Sequence, residues 1–87
     1  MLSSTQEHIR RQVASASRAE LEELRRRAMT VLDRVRAARK YRLRSKVEEI
    51  ETSVAIETLA RVEAALGRRS KWFLQRRRFQ LKMMYLR

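Results

Sequence analysis

The residues in this chain whose chemistry stands out are arginines and lysines, and the chemistry open to them is the binding of anions. Arg34, Arg36, Arg39, Lys40, Arg42, Arg44 and Lys46 follow one another without an intervening acid. On a helix Arg36, Lys40 and Arg44 fall on one line at i, i+4 and i+8, with Arg39 beside them, a row suited to tracking a phosphate backbone. Arginine presents a planar fork to phosphate oxygens, and the chain uses far more Arg than Lys. The plainer accounts are a solvated face, or pairing with Glu48, Glu49 and Glu51 just downstream. So dense a run of uncompensated cations favours an anionic partner.

A second basic segment runs from residue 68 to 87: Arg68, Arg69, Lys71, Arg76, Arg77, Arg78, Lys82 and Arg87, again with no acid. It also holds Trp72, Phe73, Phe79 and Tyr85, four of the five aromatic residues. As a helix it places Trp72, Phe79, Met83 and Leu86 on one face, Lys71, Arg78 and Lys82 on another, and Leu74 and Leu81 on a third arc. Three uses fit this pattern. Trp72, Phe79 and Tyr85 serve as aromatic anchors closing over a core; the segment enters a groove of RNA or of a protein partner, with rings stacking and arginines on phosphates; or residues 71–87 lie against a membrane surface.

Nothing in the chain points to catalysis. Glu48, Glu49 and Glu51 stand at an expected helix start, where acids favour the macrodipole, and no nucleophile or glycine-rich loop accompanies them. His8 is the only histidine and cysteine is absent, so no metal site and no thiol chemistry are expected. Met83 and Met84 are expected to be packing residues. The expectation is a non-catalytic protein with no cofactor and no small-molecule substrate.

The elements that must position these cations are helices. Proline is absent and Gly67 is the only glycine, so the main helix breakers are missing. The chain's 87 residues allow one domain. The formal charge of +12 opposes compaction, while 44% hydrophobic residues exceed what a disordered basic tail carries. A thin core and a few kcal/mol of stability are expected. No apolar run approaches the ~18 residues of a membrane-spanning helix. Residues 1–19 are rich in Ser, Ala and Arg with Glu7 as the only acid, a composition like that of a mitochondrial presequence. With the lack of cysteine, the expected location is intracellular, with a mitochondrial address favoured.

Start signals divide the chain into an N-terminal arm (1–16), helix 1 (17–44), helix 2 (45–66) and helix 3 (70–86). Ser17 and Glu20 form one capping box and Ser45 and Glu48 a second, and Ser70 suits an N-cap. Gly67 suits a left-handed C′ position after helix 2. In the arm, Ile9 and Val13 face inward if a turn or two is helical. Helix 1 carries an apolar stripe of Leu21, Leu24, Ala28, Val31, Val35 and Ala38. Helix 2 carries one of Val47, Ile50, Val54, Leu59, Val62 and Leu66. The fold class is therefore all-α: a helical hairpin, or one long bent helix of roughly 70 Å, followed by a short basic C-terminal helix.

Lys40-Tyr41-Arg42 and Tyr85-Leu86-Arg87 come near the Leu-Tyr-Arg tripeptide of a family of small mitochondrial assembly factors. Neither string is that tripeptide and neither opens the first helix, so no family is assigned. Small ribosomal proteins are similar in length, charge and helicity, without a matching signature. The functional expectation is a structural RNA-binding subunit of a ribosome, held by RNA and neighbouring proteins. The alternatives are an accessory subunit or assembly factor of a mitochondrial membrane-bound complex, and a small DNA-binding regulator dimerising through the Leu21–Ala38 stripe.

Overall fold

In the computed structural model the described residues are 4–38 and 45–86, and they form four helices with no strand among them: α1 (Ser4–Ser15), α2 (Arg18–Ala38), α3 (Lys46–Leu66) and α4 (Lys71–Tyr85). Each of the last three starts at a serine, for the same reason. The Ser17 Oγ accepts from the Glu20 backbone N–H at 3.2 Å while Glu20 Oε1 accepts from the Ser17 N–H at 3.2 Å, a complete capping box. Ser45 Oγ accepts from Glu48 N–H at 3.2 Å, and Ser70 Oγ from Phe73 N–H at 3.3 Å. The α1 helix is longer than the turn or two expected of an arm. Its apolar pair, Ile9 and Val13, is buried as the spacing requires.

The α2 and α3 helices pack as a hairpin. α1 and α4 both lie against α3, which is the central element. The longest dimension of the molecule is 37 Å, about half that of the extended rod. One core cluster joins Ala28 and Leu32 of α2, Ala55, Ile56, Leu59 and Ala60 of α3, and Leu81 and Tyr85 of α4. A smaller one joins Ile9 and Val13 of α1, Leu21 of α2 and Val62 of α3. Leu24, Val31, Val54 and Leu66 are half-buried beside these clusters, and Val35 is half-buried on α2. Of the expected helix 1 stripe, Leu21 and Ala28 are thus used inside the chain.

Two parts of the expected stripes are corrected. Leu32, which the stripe of helix 1 passes over, is fully buried. On α3, Val47 and Ile50 are exposed, at 63% and 57%, and do not pack. Because α3 is covered on three sides, its buried set is wider than one stripe and includes small and polar residues: Thr52, Ala55, Glu57 and Ala60. Thr52 is fully enclosed because its hydroxyl donates back to the Glu48 carbonyl at 2.6 Å.

The α3–α4 corner is also built differently from the expected glycine stop. The Arg69 N–H bonds to Ala64 O at 2.8 Å and the Arg68 N–H to Ala65 O at 3.3 Å, the two bonds of a Schellman motif with Arg68 at C′. Accordingly φ is +49° at Arg68 and −91° at Gly67. Gly67 answers instead to a close approach. A Cβ there would stand 3.1 Å from Arg69 Cγ and 3.3 Å from the Glu63 carbonyl oxygen.

Candidate nucleic-acid interface

The α4 helix has two opposite faces, and the structure decides which is the inner one. Leu74, Arg77, Arg78, Leu81 and Tyr85 recur at i, i+3, i+4, i+7 and i+11, and this face meets α3. Leu81 is 1% and Tyr85 6% exposed. Trp72, Arg76, Phe79 and Met83 recur at i, i+4, i+7 and i+11 on the opposite side. Trp72 is 69% and Phe79 64% exposed. Of the three aromatic anchors expected, only Tyr85 anchors the fold; Trp72 and Phe79 face outward. Met83 and Met84 are also exposed, at 44% and 49%.

The reason is electrostatic as well as apolar. Glu57 of α3 is buried and receives Arg78 of α4 through Nε at 3.1 Å and Nη2 at 2.9 Å, Arg61 Nε at 3.2 Å, and Gln6 Nε2 of α1 at 3.1 Å. Glu63 receives Arg77 through a two-pronged fork at 2.8 and 3.3 Å. Turning Trp72 and Phe79 inward would carry Arg77 and Arg78 away from these carboxylates and leave Glu57 buried without its α4 cation. Arg77 and Arg78, expected among the nucleic-acid-binding residues, stand in the structure as ion-pair partners of Glu63 and Glu57 that join α4 to α3.

These pairs consume acids and leave cations. Glu7 holds Arg10 and Arg11, Glu22 holds Arg18, and Glu23 holds Arg26 and Arg27. Hydrogen bonding from Arg10, helped by the charges of Arg10 and Arg11, holds the Glu7 carboxyl down at about 2. Arg26 does the same for Glu23, with Arg27 assisting, again to about 2. Among the described residues, Arg25, Arg34, Arg36, Lys46, Arg68, Arg69, Lys71, Arg76 and Lys82 enter no ion pair, and all are exposed. All of these except Arg25 are among the expected binding residues. Arg39, Lys40, Arg42 and Arg44 of the same expectation lie outside the described residues.

Among the described residues, folding brings one free cation of each basic segment to the same groove. Lys46 at the start of α3 and Lys82 near the end of α4 line one groove of about 610 Å³, with Ile50 and Leu86 on its apolar wall. Arg34 and the same Ile50 line a neighbouring groove of about 460 Å³ on the α2 side. Glu49 and Glu51 also border these grooves, so the outer face of α4, which has no acid of its own, is the more purely cationic surface. On this face Arg76 lies over the Trp72 ring, 5.6 Å from its centroid, while Arg69, just before the helix, lies over Phe73 at 4.6 Å in the corner lined also by Glu63 and Arg77. That ring stacking was not legible before the helix faces were known, although the i, i+4 spacing of both pairs was.

Comparison with protein-family models, curated proteins and solved structures finds no match to this chain. Among the described residues no three His, Cys, Asp or Glu side chains are grouped to hold a metal ion, and no helix is long and apolar enough to cross a membrane. What the site offers is cations outside any ion pair, set among exposed rings on a rigid helix.

Proposed function

We propose that this chain is a non-catalytic RNA-binding subunit of a ribonucleoprotein, docking through the outer face of α4 and the adjoining end of the α2–α3 hairpin. The observation that carries the reading is the separation of charge by the fold. Glu57 and Glu63 are spent on Arg61, Arg77 and Arg78 inside the bundle. Arg68, Arg69, Lys71, Arg76 and Lys82 are left exposed around Trp72 and Phe79. Binding is driven by counterion release as these cations meet phosphates. Exposed rings add contacts that simple solvated cations do not provide.

A ribosome is the host most in keeping with a small, basic, helical subunit. The competing reading is an accessory subunit at a membrane-bound complex. It draws on the exposure of Trp72, Phe79 and Met83, which suits a lipid interface as well. Sedimentation of the tagged full chain from a gentle lysate, with and without RNase, separates them. Co-migration with ribosome-sized particles and release by RNase supports the RNA reading. Retention in a detergent-solubilised complex indifferent to RNase overturns it.

A further inference from the structure

We infer that the outer face of α4 takes unpaired nucleotides of a single strand, with Trp72 and Phe79 as stacking platforms, rather than the groove or backbone of a duplex. The inference rests on the RNA-binding reading and narrows it to a class of ligand.

Three observations lead there. First, the rings are presented and not packed: Trp72 and Phe79 are each about two-thirds exposed, on a helix whose other side is fixed to α3 by Leu81, Tyr85 and the Arg77 and Arg78 ion pairs. A rigid support lowers the ordering cost of binding. Second, seven residues of helix separate the two rings, about 10.5 Å along the axis at ~1.5 Å per residue. That is about three base steps of a stacked strand at ~3.4 Å each. Third, Arg76 stands between the rings in sequence and in space, its guanidinium over one face of Trp72. There a cation–π contact steadies the indole, which stays 69% exposed, and a guanidinium beside it is a fork suited to phosphate oxygens. Lys71 and Lys82 flank the same row on one side, one near each end.

A duplex uses these features poorly. Its bases are already stacked and paired, so the rings would meet only sugar and phosphate. The major groove of an A-form helix is too deep and narrow for side chains on a helix that is half-buried in its own bundle. Every base has a π-face, so the platform is tolerant of sequence.

The chain has one tryptophan, so Trp72 is its own reporter. Tryptophan fluorescence of the full chain is titrated with an oligouridylate of about 12 nucleotides, with a blunt RNA duplex of similar length, and with anionic phospholipid vesicles. The expected result is quenching by the single strand and none by the duplex. Trp72→Ala and Phe79→Ala each lose roughly 5- to 150-fold in affinity, read by polarisation of a labelled strand, whereas Trp72→Phe keeps most of it. Both alanine variants should keep wild-type helicity, because neither ring packs in the core. Duplex binding as tight as single-strand binding, with unquenched Trp72 and unaffected alanine variants, overturns the inference and leaves RNA binding through phosphates standing. No binding to either nucleic acid, with a blue-shifted Trp72 on vesicles, overturns both.

Discussion

Glu57 shows at the scale of one residue how this protein combines a large positive charge with a packed interior. Its side chain is 7% exposed, and the arginines that meet it are 10% and 19% exposed. A carboxylate so enclosed is tolerable only because Arg61, Arg78 and Gln6 supply donors to both its oxygens. Glu57→Gln is nearly the same size but withdraws the charge, leaving two largely buried guanidinium groups uncompensated. The expected cost is about 3–5 kcal/mol, measured as a lowered urea midpoint with an unchanged slope. A loss within the ~0–1 kcal/mol of a surface pair would show that the three groups are solvated and that α4 is held by its leucines alone. Glu7 and Glu23 are the opposite case, exposed carboxylates held at about 2 by the arginines beside them. An unfolded glutamate takes its proton near 4.5. Between these values the unfolded chain binds more protons, so stability falls as pH drops through that window and the contribution is complete above it. Carboxyl NMR titration should find both midpoints near 2 at low salt. High salt, which screens exposed pairs, should move them up toward 4.5.

Among the elements, what was legible in the sequence is what is local. The serine caps at 17, 45 and 70 are correct because a cap depends on three or four neighbouring residues. The inward turn of Ile9 and Val13 is correct for the same reason. The faces of α3 and α4 were not legible, because they depend on partners. With α1, α2 and α4 all packed on α3, burial follows what fits between helices, so Ala55 and Ala60 are inside while the larger Val47 and Ile50 are outside. On α4 the sequence offers two apolar arcs. Size favours Trp72 and Phe79 for the core, but Arg77 and Arg78 share the leucine arc, and their carboxylates lie on α3. The outward binding row is the consequence of that choice. The corner between the two helices gives a prediction of its own. Arg68 sits at φ +49°, a conformation glycine adopts freely and other residues at a cost. The compensation is a cation beside the C-terminal carbonyls of α3, where positive charge is favoured. Arg68→Gly should raise stability by about 0.5–1 kcal/mol, or roughly 2–8 °C in a thermal melt, while weakening polyanion binding. A destabilised variant would mean that the Arg68 side chain contributes more than its backbone costs.

For the whole molecule the question is what the net charge of +12 does to the folded state. Two effects of salt oppose each other. Screening weakens the exposed pairs of Glu7, Glu22 and Glu23, each worth ~0–1 kcal/mol. It also weakens the repulsion among cations that enter no pair, which lie on α2, at the start of α3, in the α3–α4 corner and along α4. The pairs of Glu57 and Glu63 are sheltered and respond little, so they do not tip the balance. Repulsion outweighs the surface pairing because it sums over many cations, whereas the exposed acids that salt would uncouple are few. The thermal midpoint should therefore rise by several degrees between about 20 and 300 mM salt, where the Debye length shrinks from roughly 20 to 6 Å. A single-stranded polyanion at low ionic strength should raise it further, because it binds the folded surface and adds mass-action stabilisation. Trp72→Ala should remove part of that second increment and none of the first, since the ring carries no charge. A midpoint that falls with salt would reverse this account. The surface pairs, rather than the buried core and its two sheltered carboxylates, would then be what holds the helices together, and an anionic partner would compete with the fold instead of completing it.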